Sequence, residues 1–369
     1  MPSRPSDISI ESWADWRWHL RNVIRTEQQL ERWICPSEDE RRAIRETKER
    51  YRWQVTPYYA SLMDPANPRC PIRMQAIPSM AELADDPGSS IDPVAELAYR
   101  KTNRVVHKYP DRVILNLTRV CPVYCRHCTR KYHTTQRDGS YFAGRESDDL
   151  SDDIGYIASQ PGIRDVLITG GDPLSYTDAR LRTILAALRA IPHVEVIRIG
   201  TRFPVLLPQR ITPALCAMLE AFHPIWVSTH FNHPHEVTPE AAQACDLLLR
   251  SGIPVQNQTV LLRGVNDDGA TMRALLHALI RIRVRPYYLY HCDRASGVSH
   301  FVTSVETGRE IMRNLWGWTT GFAVPRYIIT SPVGKVSLEE AQVQAAPGDD
   351  SLVLHGWAGN EHVHQNLVD

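Results

Sequence analysis

Arg112-Val-Ile-Leu-Asn-Leu117 runs straight into Thr118-Arg-Val-Cys121-Pro-Val-Tyr-Cys125-Arg-His-Cys128. The first part is a short apolar run and reads as a strand. Three cysteines, spaced C-x3-C-x2-C, follow its carboxyl end. Outward from here the chain keeps a rhythm. Apolar runs recur at 165–169, 194–199, 225–230, 254–260 and 286–290, starting roughly 30 residues apart, the length of a strand-plus-helix unit. Helical patterns fill the gaps. Leu181, Ile184, Leu185 and Leu188 follow the i, i+3, i+4, i+7 spacing. Thr212-Pro213 and Thr238-Pro239 are N-cap and N1 pairs, and Gly252 stands where the second of these helices should stop. Six alternating units predict an α/β fold, a partial (β/α)6-type parallel barrel.

On either side the pattern changes. Residues 1–107 read as a helical region. Trp13, Trp16, Trp18, Leu20 and Val23 open an amphipathic stretch. Ser37 and Glu40 form a capping box, with a charged helix expected to about Arg52. Pro57, Pro65, Pro68 and Pro71 then break periodicity, and residues 86–92 read as loop. This region is expected to be a packing and interface layer. The core is expected over 108–335. A short tail follows at 336–369, with a possible strand at 352–354.

Composition narrows the classes. The 369 residues are 43% hydrophobic and 23% charged, which excludes a disordered or collagen-like chain. Lys+Arg and Asp+Glu are both 42, so the basic field of a nucleic-acid binder is absent. No apolar run approaches the roughly 18 residues of a membrane span. The polar start, Met1 to Ser6, has no signal-peptide core, and eight uneven cysteines are no disulfide scaffold. A cytoplasmic protein is expected.

Polar residues gather where the strands should end. They are Gly170-Gly171-Asp172, Gly200-Thr201-Arg202, His230-Phe231-Asn232-His233, Asn257-Gln258 and Tyr290-His291-Cys292-Asp293. A barrel places its ligands at these ends. Thiolates favour iron–sulfur clusters or zinc. Three close cysteines can hold three corners of a [4Fe–4S] cube and leave one iron open to a small molecule. A zinc site needs a fourth ligand, His127 being nearest in sequence. Unligated core cysteines are the third reading. Cys35, Cys70, Cys216, Cys245 and Cys292 are scattered and read as plain core or loop residues.

A C-x3-C-x2-C run after the first strand of a βα barrel resembles the radical S-adenosylmethionine (SAM) superfamily. The wider motifs resemble the lysine 2,3-aminomutase family. They are Tyr109-Pro-Asp-Arg112, Tyr124-Cys-Arg-His-Cys-Thr-Arg130, Gly170-Gly-Asp172, Thr229-His-Phe-Asn-His-Pro234, Leu262-Arg-Gly-Val-Asn266 and Arg283-Val-Arg-Pro-Tyr-Tyr288. The likeness runs from about Trp13 to Lys335. It implies a [4Fe–4S] cluster on Cys121, Cys125 and Cys128, with SAM on the open iron. It also implies pyridoxal 5′-phosphate (PLP), joined to Lys335 as a resting Schiff base. By the same resemblance Arg112 and Lys108 hold the PLP phosphate and Tyr290 contacts the cofactor ring. Lys108 stands where the family has arginine, and the glycine-rich run before the lysine is shorter here. Gly170, Gly171, Asp172, His127, His230 and Gln258 fall at SAM-binding positions. Arg130 matches the ligand of the substrate carboxylate, a guanidinium fork suited to that group.

Asp293 matches one of two family aspartates that hold a distal ammonium, and Thr330 replaces the second. One carboxylate and a shorter neutral neighbour are compatible with lysine or with arginine. The resemblance thus implies an isomerase moving an amino group from Cα to Cβ of a basic amino acid. It also implies a flavodoxin- or ferredoxin-type electron donor and a homodimer or homotetramer. Two other readings stay open at this point. One is a radical SAM enzyme of another outcome, such as elimination, epimerisation or hydrogen abstraction without PLP. The other is a zinc-stabilised binding module. The family's zinc-binding tail cysteines are absent, since no cysteine follows Cys292.

Overall fold

A computed structural model describes residues 4–84, 86–135, 149–338, 343–345, 351–355 and 359–366. One sheet dominates. Its strands are β1 (Val105–Tyr109), β2 (Arg112–Thr118), β3 (Asp165–Gly170), β4 (Val196–Gly200), β5 (Ile225–Thr229), β6 (Val255–Leu261), β7 (Arg285–His291), β8 (Arg326–Ser331) and β9 (Gly334–Ser337), in that spatial order. From β2 to β8 every neighbouring pair is parallel. The β1 and β9 edges are antiparallel to their neighbours. All six strands read from the apolar runs are present. The parallel barrel gains a further strand, β8, which starts later than the rhythm allows.

The helices between strands follow the expected signals. Helix Asp178–Arg189 buries Leu181, Ile184, Leu185 and Leu188 against the sheet. Thr212 and Thr238 cap helices Pro213–Glu220 and Pro239–Arg250, with proline at the first helical positions. Gly252 follows the second helix at φ +69°, a left-handed backbone that glycine adopts without a Cβ penalty.

The barrel is not closed by a ladder. Side chains span the seam between β1 and β9. Lys108 Nζ donates to the Ser331 carbonyl at 2.7 Å, and the Lys335 backbone N–H donates to the Tyr109 hydroxyl at 2.8 Å. The two ends of the sheet thus meet at residues already singled out by sequence.

The amino-terminal region departs from expectation in detail. The tryptophan stretch forms two short helices, Ile10–Ala14 and Trp16–Arg21, split where Asp15 caps the second. The Ser37–Glu40 capping box is present, but its helix ends at Thr47. A smaller sheet holds β10 (Val343–Ala345), β11 (Ser351–His355) and β12 (Glu361–Gln365), so the strand expected at 352–354 is the middle one. Part of the tail region 336–369 lies outside the described residues. No helix among the described residues is long and apolar enough to cross a membrane.

Candidate active site

All sixteen site residues read from sequence line one cavity of about 310 Å³ at the carboxyl ends of the strands. They come from β1, β2, β3, β7, β8 and β9 and from the loops after β2, β3, β5 and β7. Gln258 lies inside β6, where a register shift between Asn257 and Gln258 re-aims the strand.

The cysteine loop is fixed from below. Gly170 has φ +119°, and a Cβ there would meet the Thr118 carbonyl at 2.6 Å. A Cβ on Gly171 would meet the Val120 carbonyl at 2.4 Å. The Gly171 N–H donates to the Thr118 carbonyl, and the Asp172 N–H to the Val120 carbonyl at 2.8 Å. The glycines are therefore required by the close approach of the cysteine loop. The Asp172 carboxylate accepts from the Thr201 hydroxyl and the Arg202 N–H, both at 2.7 Å, so it ties the β3 and β4 loops together. Burial still raises it to about 6.

Cys121, Cys125 and Cys128 are partly accessible and face this cavity, whereas Cys70, Cys216, Cys245 and Cys292 are buried and Cys35 is exposed. Among the described residues no three His, Cys, Asp or Glu side chains converge as ligands of one ion. A cube is wider than an ion and holds its thiolates further apart. Three thiols on one wall, with open space beside them, fit such a cluster with one free corner. His127 lines the same cavity beside the cysteines. Its Nε2 lies 3.3 Å from the Asn232 amide, its ring meets Phe301 edge-on, and burial holds it neutral.

Lys335 sits opposite Thr330 across the β8–β9 pair. Its ammonium nitrogen lies 5.0 Å from the Tyr288 ring centre and 5.3 Å from that of Tyr290. The side chain is accessible, but the surface it shows lines the cavity. Desolvation, then Arg198, Arg112 and Arg130, lower its pKa to about 7. An amine that is half neutral near pH 7 is a competent nucleophile. Arg112 and Arg198 line the same cavity, and although Asp111 and Asp165 pair with one nitrogen of each, their guanidinium groups are donors of the kind a phosphate takes. These features fit PLP. Lys108 is occupied differently. It donates to the Val94 carbonyl at 2.9 Å as well as to Ser331, and burial lowers it to about 8.

Arg130 lines the same cavity. Its Nε and Nη2 grip Glu96 at 2.7 to 3.0 Å, and Tyr132 donates to the same carboxylate at 3.1 Å. Nη1 is left for a ligand. Asp293 faces the cavity, and burial, outweighing Arg130 and Lys335, raises it to about 7. His230 also lines the space and is held neutral, near 3, by burial and by Arg202 and Arg130.

Three charged lining residues were missed as site residues. Glu96 comes from the region expected only to pack. That expectation is corrected, because Val94 and Glu96 form cavity wall. Arg198 had a signal: an arginine between Ile197 and Ile199 on a strand must face away from their core side. Arg202 stood in a noted polar cluster but carried no role.

Comparison with known proteins follows the geometry. A family model described as the radical SAM superfamily matches residues 115–275. The L-lysine 2,3-aminomutase of Fusobacterium nucleatum is 47% identical over 333 residues, covering 89% of this chain and 76% of that protein. The L-lysine 2,3-aminomutase of Bacillus subtilis is 43% identical over 355 residues, covering 96% and 74%. A glutamate 2,3-aminomutase of Clostridioides difficile is 41% identical over 351 residues, covering 95% and 82%. At these identities, over most of both partners, the chain belongs to the lysine 2,3-aminomutase family of radical SAM isomerases, which use a [4Fe–4S] cluster, SAM and PLP.

Proposed function

We propose that this chain moves the α-amino group of a basic L-α-amino acid, lysine or arginine, to the β-carbon. One observation carries the reading. A half-neutral lysine, a guanidinium with an open edge and a half-buried carboxylate share a single cavity with three thiols. When bound, the cluster with SAM supplies hydrogen-atom abstraction, and PLP supplies a conjugated carrier for the migrating nitrogen. Cys121, Cys125 and Cys128 would hold the cluster. Gly170, Gly171, Asp172, His127, His230 and Gln258 would shape the SAM site.

The chain's own residues orient and insulate. Lys335 presents its amine beside two tyrosine rings, and Arg112 supplies charge for the phosphate. Lys108 serves this site through the seam, by fixing β8 against β1. Arg130, braced by Glu96, offers Nη1 to the α-carboxylate. That fixes the amino acid at one end, which is worth more than affinity when two atoms must meet. Asp293 receives the tail at the other end. A cation there would pull its proton off, because paired charge removes the cost of burial. A carboxylate tail would meet Asp293 with like charge, so the glutamate-type substrate is disfavoured. The relatives named L-lysine 2,3-aminomutases support a basic tail. Thr330 leaves one carboxylate where the family has two, which suits a guanidinium as well as an ammonium. The same reading makes the enzyme cytoplasmic, reduced by a flavodoxin or ferredoxin, and dimeric or tetrameric.

The test is anaerobic incubation of the reconstituted protein with SAM, PLP, a reductant and a panel of α-amino acids. A β-amino acid from lysine or arginine is expected. Turnover of glutamate alone, or full activity in Cys125→Ala, would overturn the reading.

A further inference from the structure

Arg202 has no part in the reading above, yet it is a buried guanidinium facing the cysteine loop. Its Nη1 donates to Cys125 Sγ at 2.9 Å. The rest of the group is pinned. Nε donates to the His230 carbonyl at 2.9 Å, and Nη2 donates to Gln75 Oε1 at 2.6 Å and Glu236 Oε1 at 2.7 Å. Glu236 is itself fully buried and held by the Tyr59 hydroxyl and the Asn232 N–H, both at 2.6 Å, and the His233 N–H at 3.1 Å. A fork fixed on three oxygens cannot swing away, and what it leaves pointing at sulfur is a charged N–H. The neighbouring thiols meet backbone N–H groups instead, Cys121 that of Asp172 and Cys128 that of Arg130. Cys128 Sγ has the Thr134 hydroxyl at 3.9 Å, a neutral and distant donor.

Hydrogen bonds to ligand sulfur and nearby positive charge stabilise the electron that a cluster accepts, so they raise its reduction potential. We propose that Arg202, anchored by Glu236, is a positioning residue that raises the reduction potential of the cluster carried by Cys125. This rests on the three-cysteine assignment. It goes beyond it in naming the group that sets how readily the cluster takes its single electron from a low-potential donor. The element that supplies the anchor is also unexpected: Gln75 comes from the amino-terminal region, so that layer reaches the metal-binding loop.

The experiment is a redox titration of the full-length, anaerobically reconstituted protein without SAM, followed by the electron paramagnetic resonance of the reduced cluster. Arg202→Gln should shift the midpoint to more negative potential. Arg202→Lys, which keeps the charge and loses the fork, should recover part of the shift. Arg202→Gln leaves Glu236 as an orphan buried charge, which is destabilising. The double variant Arg202→Gln/Glu236→Gln removes both charges and should show a smaller negative shift, that of the lost N–H to Cys125 alone. An unchanged midpoint in either variant, with iron retained, would overturn the proposal. So would weakened SAM binding with no shift, which would make Arg202 a SAM ligand. Loss of the cluster from both variants would also overturn it, in favour of a purely structural role. Failure of the unmutated protein to take up iron is a different result, and would strike the cluster assignment itself.

Discussion

Glu82, fully buried, and Asp293, half-buried at the cavity, are carboxylates near the cysteine loop, and they titrate in opposite directions. Burial raises both. At Glu82 two cations overcome it: Arg126 and Lys131 lie in direct contact, and the pKa falls to about 2. At Asp293 the Thr129 hydroxyl, Arg130 and Lys335 do not overcome it, Glu96 adds like charge, and the pKa rises to about 7. Lys335 shows the same pattern in a cation, surrounded by arginines and lowered to about 7. The difference separates structure from function. A charge satisfied within the protein fixes the loop, whereas one left unsatisfied at a cavity waits for a ligand to complete it.

The largest effect should come from the unsatisfied side. Lys335→Ala should reduce turnover to background and abolish the visible absorbance that PLP gains on joining a lysine. The fold should survive, because the lost amine is pushed by Arg198, Arg112 and Arg130 and contributes no net attraction. Urea unfolding alongside activity checks both halves. A variant that is inactive because it is unfolded would break the contrast.

Glu82→Gln attacks the satisfied side and should do the reverse. It strands the buried cations Arg126 and Lys131, at a cost of about 3–5 kcal/mol for breaking a buried pair. Denaturant unfolding should show the loss. Since the folded pKa of Glu82 is depressed below 4.5, its stabilisation is present above pH 4.5 and is lost only as pH falls towards about 2.

The two regions also differ in how much of them could be read from sequence. Six strands, the glycine-rich turn and the three thiols were legible because periodicity, backbone demand and ligand spacing leave local marks. β8 was not, because it begins 41 residues after β7, at Arg326 against Arg285, well outside the rhythm. Glu96 was not, because it lies in a Pro- and Asp-rich segment where nothing local says that its carboxylate meets Arg130, 34 residues on. The Glu82 network has the same character. Its partners Arg126 and Lys131 are visible as charged residues beside the cysteines, but their pairing is a tertiary fact. Asp172 was legible as a site residue, yet its carboxylate binds loop groups, which only the β3–β4 geometry reveals.

The smallest and sharpest test is Asp293→Asn. Asparagine keeps the shape and removes the ionisation. The folded pKa of Asp293 is raised from 3.8 to about 7, so the wild-type protein loses stability as pH rises between those values. The amide escapes that loss. Stability of the variant relative to wild type should therefore climb from about pH 4 to about pH 7 and stay level above, a trend opposite in sign to that of Glu82→Gln. Ligand binding should change in step. In the wild type, a basic amino acid should bind more tightly as pH rises through about 7, because its cationic tail needs the ionised carboxylate. In the variant that dependence should flatten, and preference for a cationic over a neutral tail should fall by roughly tenfold, about 1.4 kcal/mol, just below the roughly 1.5–3 kcal/mol of a charged hydrogen bond. A variant with undiminished preference and an unaltered pH profile would mean that the tail is read elsewhere, and that the raised carboxylate is a packing defect instead of a receptor.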